Sequence, residues 1–97
     1  MPEVQHDPTN QRFTHTSEGK TARIDYRMKG DDQIAFLHTE TPKELQGRGI
    51  ASRMAEVALD YALTREFQVL PYCPFIREFI QDHPKYQGLV PEDFSAG

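Results

Sequence analysis

Gln46-Gly47-Arg48-Gly49-Ile50-Ala51, at the centre of the stretch Thr39 to Ala62, reads as the end of a strand, a glycine-rich turn and the start of a long helix. The first amides of a helix lack intrahelical acceptors and sit at the positive end of its dipole. A turn built on Gly47 and Gly49 lets an anion come close to those amides. The stretch therefore has the form of a seat for a phosphorylated ligand. A tight strand-to-helix turn also needs glycine for purely structural reasons, so the flanking sequence has to decide.

On the amino-terminal side, Gln33 to Thr41 alternates as a strand. Ile34, Phe36, His38 and Glu40 share one face, and Ala35, Leu37, Thr39 and Thr41 the other. Apolar residues occupy both faces of its first half, which predicts a central strand covered on both sides. Pro42 ends it. Before it, Ala22, Ile24, Tyr26 and Met28 oppose Thr21, Arg23, Asp25, Arg27 and Lys29, the pattern of a half-buried antiparallel strand. Asp25 and Arg27 are read as solvated charges. Gly30-Asp31-Asp32 turns one strand into the next, and Glu18-Gly19-Lys20 joins the second to a weaker first strand at Gln11 to Ser17. Residues 1–10 are polar and are expected to form a flexible tail.

On the carboxyl side, the helix from about Gly47 to Thr64 carries a polar stripe of Arg53, Glu56, Asp60 and Thr64. Ile50, Met54, Val57 and Tyr61 lie opposite, and Ala51, Ala55, Ala58 and Ala62 permit close packing. Phe67 to Leu70 is a short strand, parallel to Gln33–Thr41 if the crossover is right-handed. Pro74 opens a second helix to about Asp82, which His83-Pro84 stops. The expected order is β-β-β-α-β-α: an α/β (α+β) mixed sheet with antiparallel hairpins and one parallel crossover. One domain spans residues 11–90, and 91–97 form a tail.

With 97 residues the chain holds one core. A net charge of -4 argues against binding a nucleic-acid backbone. No run approaches the ~20 apolar residues of a membrane span. A single cysteine permits no internal disulfide, which fits a reducing, cytoplasmic setting. His6, His15, His38 and His83 have no short metal-ligand spacing and Cys73 has no partner motif, so no metal site is expected. The serine elbow motif is absent.

Gln46-x-x-Gly49-x-Ala51 resembles the acyl-CoA motif Gln/Arg-x-x-Gly-x-Gly/Ala of the GNAT N-acetyltransferase superfamily. Its small branch of about a hundred residues is more similar still. The blocks are Ile24-Asp25-Tyr26-Arg27, His38-Thr39-Glu40-Thr41-Pro42, Gln46 to Ala51, Val69-Leu70-Pro71-Tyr72-Cys73-Pro74-Phe75 and His83-Pro84-Lys85-Tyr86. The resemblance covers about Phe13 to Val90. It implies acetyl-CoA as co-substrate, with its pyrophosphate on the amides of Gln46, Gly47, Arg48, Gly49, Ile50 and Ala51. It also implies a pantetheine arm in a gap between two splayed strands, along the backbone of Leu37, His38 and Thr39. Arg48 would add a charge-assisted contact. Larger members insert two helices after the first strand, which help to build the acceptor pocket; here Ser17-Glu18-Gly19-Lys20 replaces them. The acceptor amine is left open, and a homodimer is one way to complete the pocket.

Acetyl transfer needs a neutral amine, a polarised carbonyl and a proton for the leaving thiolate. Cys73 precedes Pro74 at a helix start, where the dipole favours a thiolate. It is the candidate to take the acetyl group or to protonate the departing sulfur, against the alternative of a buried filler. His38 and Glu40 are candidate bases, against a core histidine and a strand-end ion pair. Tyr72, His83 and Tyr86 are further candidates near the sulfur, Tyr86 as a cofactor contact, against aromatics that close the core. Two rivals of other classes stand beside the N-acetyltransferase: a non-catalytic acetyl-CoA-binding or protein-interaction module, and a nucleotide-phosphate binder using the same turn.

Overall fold

The computed structural model describes residues 2–94, so residues 95–97 of the expected carboxyl tail lie outside the described residues. Five strands form one mixed sheet in chain order: β1 (Gln5–Asp7), β2 (Arg12–Ser17), β3 (Lys20–Lys29), β4 (Gln33–Glu40) and β5 (Gln68–Pro71). Neighbours pair antiparallel from β1 to β4, while β4 and β5 are parallel. Helix α1 (Ile50–Thr64) makes the crossover between those two, and α2 (Pro74–Asp82) follows β5. This is the mixed α/β order expected from the sequence, with one strand added at its amino-terminal edge.

That added strand corrects the reading of residues 1–10 as a flexible tail. Gln5–Asp7 is too short for its alternation to be visible, and its pairing depends on partners distant in sequence. His6 lies opposite Phe13, stacks on that ring at 4.4 Å and meets the edge of Tyr61 at 4.6 Å. Its Nε2 shares a 2.5 Å hydrogen bond with the Tyr26 hydroxyl. Burial holds the His6 imidazole below its ordinary pKa; Arg65 pushes the same way and Asp7 opposes. The neutral ring is thus the form that fits, and the unfolded chain binds the proton more readily. Stability from this contact is complete above the ordinary histidine value of about 6.5 and is lost as pH falls below it. In thermal melts from pH 7.5 to 5, the wild type is expected to lose more stability than a His6→Phe variant, which keeps the stack and cannot titrate.

The alternation of β4 breaks once. Tyr26 pairs with Phe36, but Asp25 pairs with His38, so Leu37 is an extra residue in the ladder, a β-bulge. A one-residue slip reverses the faces of everything beyond it. Ile34 and Phe36 stay on the core face, and the bulge then brings Thr39, opposite Ile24, onto that face as well. His38 and Glu40 move to the outer face beside Asp25 and Arg23. The sequence expectation that His38 and Glu40 share a face with Phe36 is therefore wrong, because strict alternation cannot anticipate an inserted residue.

The core holds Phe13, Ile24, Tyr26, Ile34, Phe36 and Val69 from one face of the sheet, Met54, Ala55, Ala58, Leu59 and Ala62 from α1, and Ile76 and Ile80 from α2. The alanine ridge lets α1 lie close to the strands; Val57 and Tyr61 only flank the core. On the outer face, burial is confined to Ala35 and its cross-strand neighbour Leu70. Around them stand Arg12, Arg23, Asp25, Arg27, His38 and Glu40, and the expected cover on both sides is limited to that small patch.

Candidate functional site

The glycine turn is built by backbone conformation. After Pro42, residues Lys43–Leu45 form a short 3-10 turn pinned by the fully buried Leu45. Gly47 and Gly49 then take φ values of 79° and 76°, which cost a side-chain-bearing residue about 1 kcal/mol or more. As a result α1 starts at Ile50, three residues later than the sequence pattern indicates, with Gly49 as its N-cap and no side chain capping it. A cavity of about 280 Å³ opens at this helix head, lined by Thr41, Leu45, Gln46, Gly47, Gly49, Ile50, Ala51 and Ser52. Apart from the adjoining backbone, no atom lies within 4 Å of where a Cβ would stand on Gly47 or Gly49, so the turn leaves open space where an anion would sit. Uncapped amides, a helix dipole and open space suit a diphosphate.

Beyond this seat the sheet opens. Pairing of β4 with β5 ends at Phe36 and Pro71, while β4 continues against β3 to Glu40. Two hydrogen bonds cross the start of the gap: the Cys73 amide donates to the Phe36 carbonyl at 2.9 Å, and the Thr39 hydroxyl meets the Cys73 sulfur at 3.2 Å. Cys73 is buried, 3% exposed, and is the N-cap of α2. Leu37 at the bulge and Tyr72 beyond β5 are exposed apolar side chains on either side of the divergence. The ladder between β4 and β5 thus ends beside Cys73, and β4 runs on from there toward the glycine turn.

The expected site residues are only partly brought together. Gln46, Gly47, Gly49, Ile50 and Ala51 line the cavity, and Gln46 also donates from its side-chain amide to the Thr41 carbonyl at 3.1 Å. Arg48 does not line it; its guanidinium forms an ion pair with Glu18 in the β2–β3 turn. Thr39 and Cys73 meet across the gap. His38 and Glu40 project to the opposite side of β4, where Glu40 is ion-paired with Arg23, which also donates to Asp25 at 3.0 Å.

Tyr86 lies away from the glycine turn. It is fully buried, and its hydroxyl donates to Asp60 at 2.7 Å, about 15 Å along α1 from Ile50 at 1.5 Å per residue. Burial, followed by the Asp60 carboxylate, holds its phenol well above the usual range. A Tyr86→Phe variant should lose about 1 kcal/mol of stability, the worth of that hydrogen bond, because Asp60 is about half exposed and regains water. Its affinity for coenzyme A should be unchanged, as denaturant melts and calorimetry would register.

Thr41, Leu45 and Ser52 line the seat without having been singled out in the sequence. Ser52 had a readable signal, three residues after the N-cap glycine. Thr39 had none as a side chain, since its direction depends on the bulge. Among the described residues, no cluster of three or more His, Cys, Asp or Glu side chains is placed to hold a metal ion, and no helix is long and apolar enough to cross a membrane.

Residues 12–89 match the family model of the GCN5-related N-acetyltransferase domain. The chain is 32% identical to Protein NATD1 of Bos taurus over 88 residues, covering 89% of this chain and 78% of that protein. It is 31% identical to the Homo sapiens protein of the same name, with the same coverage, and 30% identical to that of Gallus gallus, covering 90% and 81%. The NMR solution structure of a GCN5-like protein from Staphylococcus aureus superposes with a TM-score of 0.72 over 92% of this chain and 87% of that one, at 21% identity. At that identity the likeness speaks for the fold alone.

Proposed function

Because the chain belongs to the GCN5-related N-acetyltransferase family, we propose that it transfers an acetyl group from acetyl-CoA to an amine. The observation that carries this is the uncapped helix head over an open cavity, in a sheet whose β4–β5 ladder ends at Phe36 and Pro71 just before Cys73. The amides of Gly49, Ile50, Ala51 and Ser52 hold the pyrophosphate, and the unpaired edge of β4 from Leu37 to Thr39 accompanies the pantetheine. The amine nitrogen attacks the acetyl carbon as the carbon–sulfur bond breaks, and its electron pair stays on the sulfur, which takes up a proton. Cys73 serves this step in one of two ways. It protonates the leaving sulfur, or its own sulfur takes the acetyl group first and passes it to the amine. The amine proton passes to water, because His38 and Glu40 face the outer side of β4, away from the sulfur, and Glu40 is ion-paired with Arg23.

The rival reading, an acetyl-CoA-binding or interaction module without catalysis, draws on one observation. β2 and β3 are joined by a tight turn at Ser17–Lys20, with no helices to wall an acceptor pocket. Release of free thiol from acetyl-CoA on adding spermidine, lysine or a lysine peptide tests the enzymatic reading. Mass spectrometry of protein incubated with acetyl-CoA alone decides between the two roles of Cys73. Binding without release under every amine leaves the module.

A further inference from the structure

We propose that the Thr39 side chain is the positioning residue that holds the Cys73 thiol in the gap, an inference that rests on the acyl-transfer reading of the same site. Three contacts carry it. The backbone of Cys73 is fixed on both sides: its amide donates to the Phe36 carbonyl at 2.9 Å, and its carbonyl accepts from the Arg77 amide at 3.0 Å as the first bond of α2. The chief freedom left to the thiol is its own side-chain rotation. The Thr39 hydroxyl, 3.2 Å from the sulfur, is the group that sets it.

That hydroxyl stands where alternation would have put it on the other face. Only the bulge at Leu37 turns Thr39 inward, opposite the fully buried Ile24. The Thr39 side chain is partly buried there, and the sulfur of Cys73 is its hydrogen-bond partner. Neither Phe36 before it nor Ile24 beside it offers a side-chain polar atom. The bulge, the hydroxyl and the thiol therefore form one device, in which the irregular strand aims a donor at the one sulfur of the gap. Threonine Oγ1 can accept from the thiol and donate to the thiolate, so it keeps its bond whichever form is present.

The test compares wild type, Thr39→Val, Thr39→Ser and Thr39→Ala in two measurements. The first is the rate of Cys73 alkylation by iodoacetamide across a pH series. The second is coenzyme A affinity by calorimetry. Thr39→Val keeps the shape of the side chain and removes the hydroxyl. Alkylation of this variant is expected to slow about tenfold near neutral pH, the loss of one hydrogen bond to the reacting sulfur. Thr39→Ser should stay within about twofold of wild type, and Thr39→Ala should follow the valine variant. A purely structural role would slow nothing in Thr39→Val and would not distinguish it from Thr39→Ser. Equal profiles in valine and wild type, or in alanine and wild type should valine fail to fold, overturn the proposal. Absence of coenzyme A binding by the wild type defeats the acyl-transfer reading instead, and the alkylation profiles still decide whether Thr39 sets the thiol.

Discussion

Gly49→Asp is expected to abolish high-affinity coenzyme A binding while leaving the fold intact. Gly49 is the N-cap of α1 at φ 76°, a region that aspartate enters more readily than other side chains. Apart from the adjoining backbone, nothing stands within 4 Å of its missing Cβ, so the added Cβ has room and the cost is the backbone strain. A carboxylate at a helix start interacts favourably with the dipole, by about 0.3–1 kcal/mol. The same carboxylate occupies the seat that the uncapped amides offer to phosphate, and like charges a few ångströms apart repel by about 4 kcal/mol at the dielectric of a protein surface. Affinity should fall roughly 100-fold or more, which calorimetry would measure, while the melting temperature moves by no more than a few degrees. Retention of wild-type affinity would mean that the phosphates bind elsewhere and that the glycine turn is structural.

Phe36→Ala is expected to remove a large share of the stability of the protein. Phe36 is fully buried on the core face of β4 and meets Tyr26 edge-on at 6.3 Å. Removing a buried phenylalanine costs about 3–5 kcal/mol through lost burial and the cavity left behind. Against a total of about 5–15 kcal/mol for a domain, this should lower the melting temperature by roughly 15–25 °C. One residue further on, Leu37 is 42% exposed at the bulge, and Leu37→Ala should change stability by no more than about 0.5 kcal/mol. The contrast between two adjacent apolar residues in circular-dichroism melts tests the placement of the bulge. Similar losses at both positions would mean that the strand buries Leu37 as well.

The elements themselves were legible from local pattern. The run Pro74–Asp82 has the bounds its sequence indicates, with Pro74 opening it and His83-Pro84 closing it. The β3 alternation of Ala22, Ile24 and Tyr26 against Arg23, Asp25 and Arg27 matches their burial. The glycine turn was legible because its cause is local: Gly47 and Gly49 are needed for their φ angles, and the helix that follows starts where they end. The parts that were not legible depend on distant partners. β1 is a strand because His6 finds Phe13, Tyr26 and Tyr61. Tyr86 packs into the core, and its hydroxyl donates a hydrogen bond to Asp60, 26 residues away. Arg48 is drawn from the seat by Glu18, 30 residues earlier.

By its own pattern, then, the chain declared a mixed sheet with one parallel crossover, a glycine turn at a helix head and a single cysteine at a second helix head, because period, turn chemistry and capping act within a few residues. Tertiary structure alone decided which side chains face that cysteine. Period two carries no information about where a residue is inserted, and the bulge at Leu37 is fixed only when β4 packs between β3 and β5. From that slip onward Thr39 turns toward the sulfur, and His38 and Glu40 turn away.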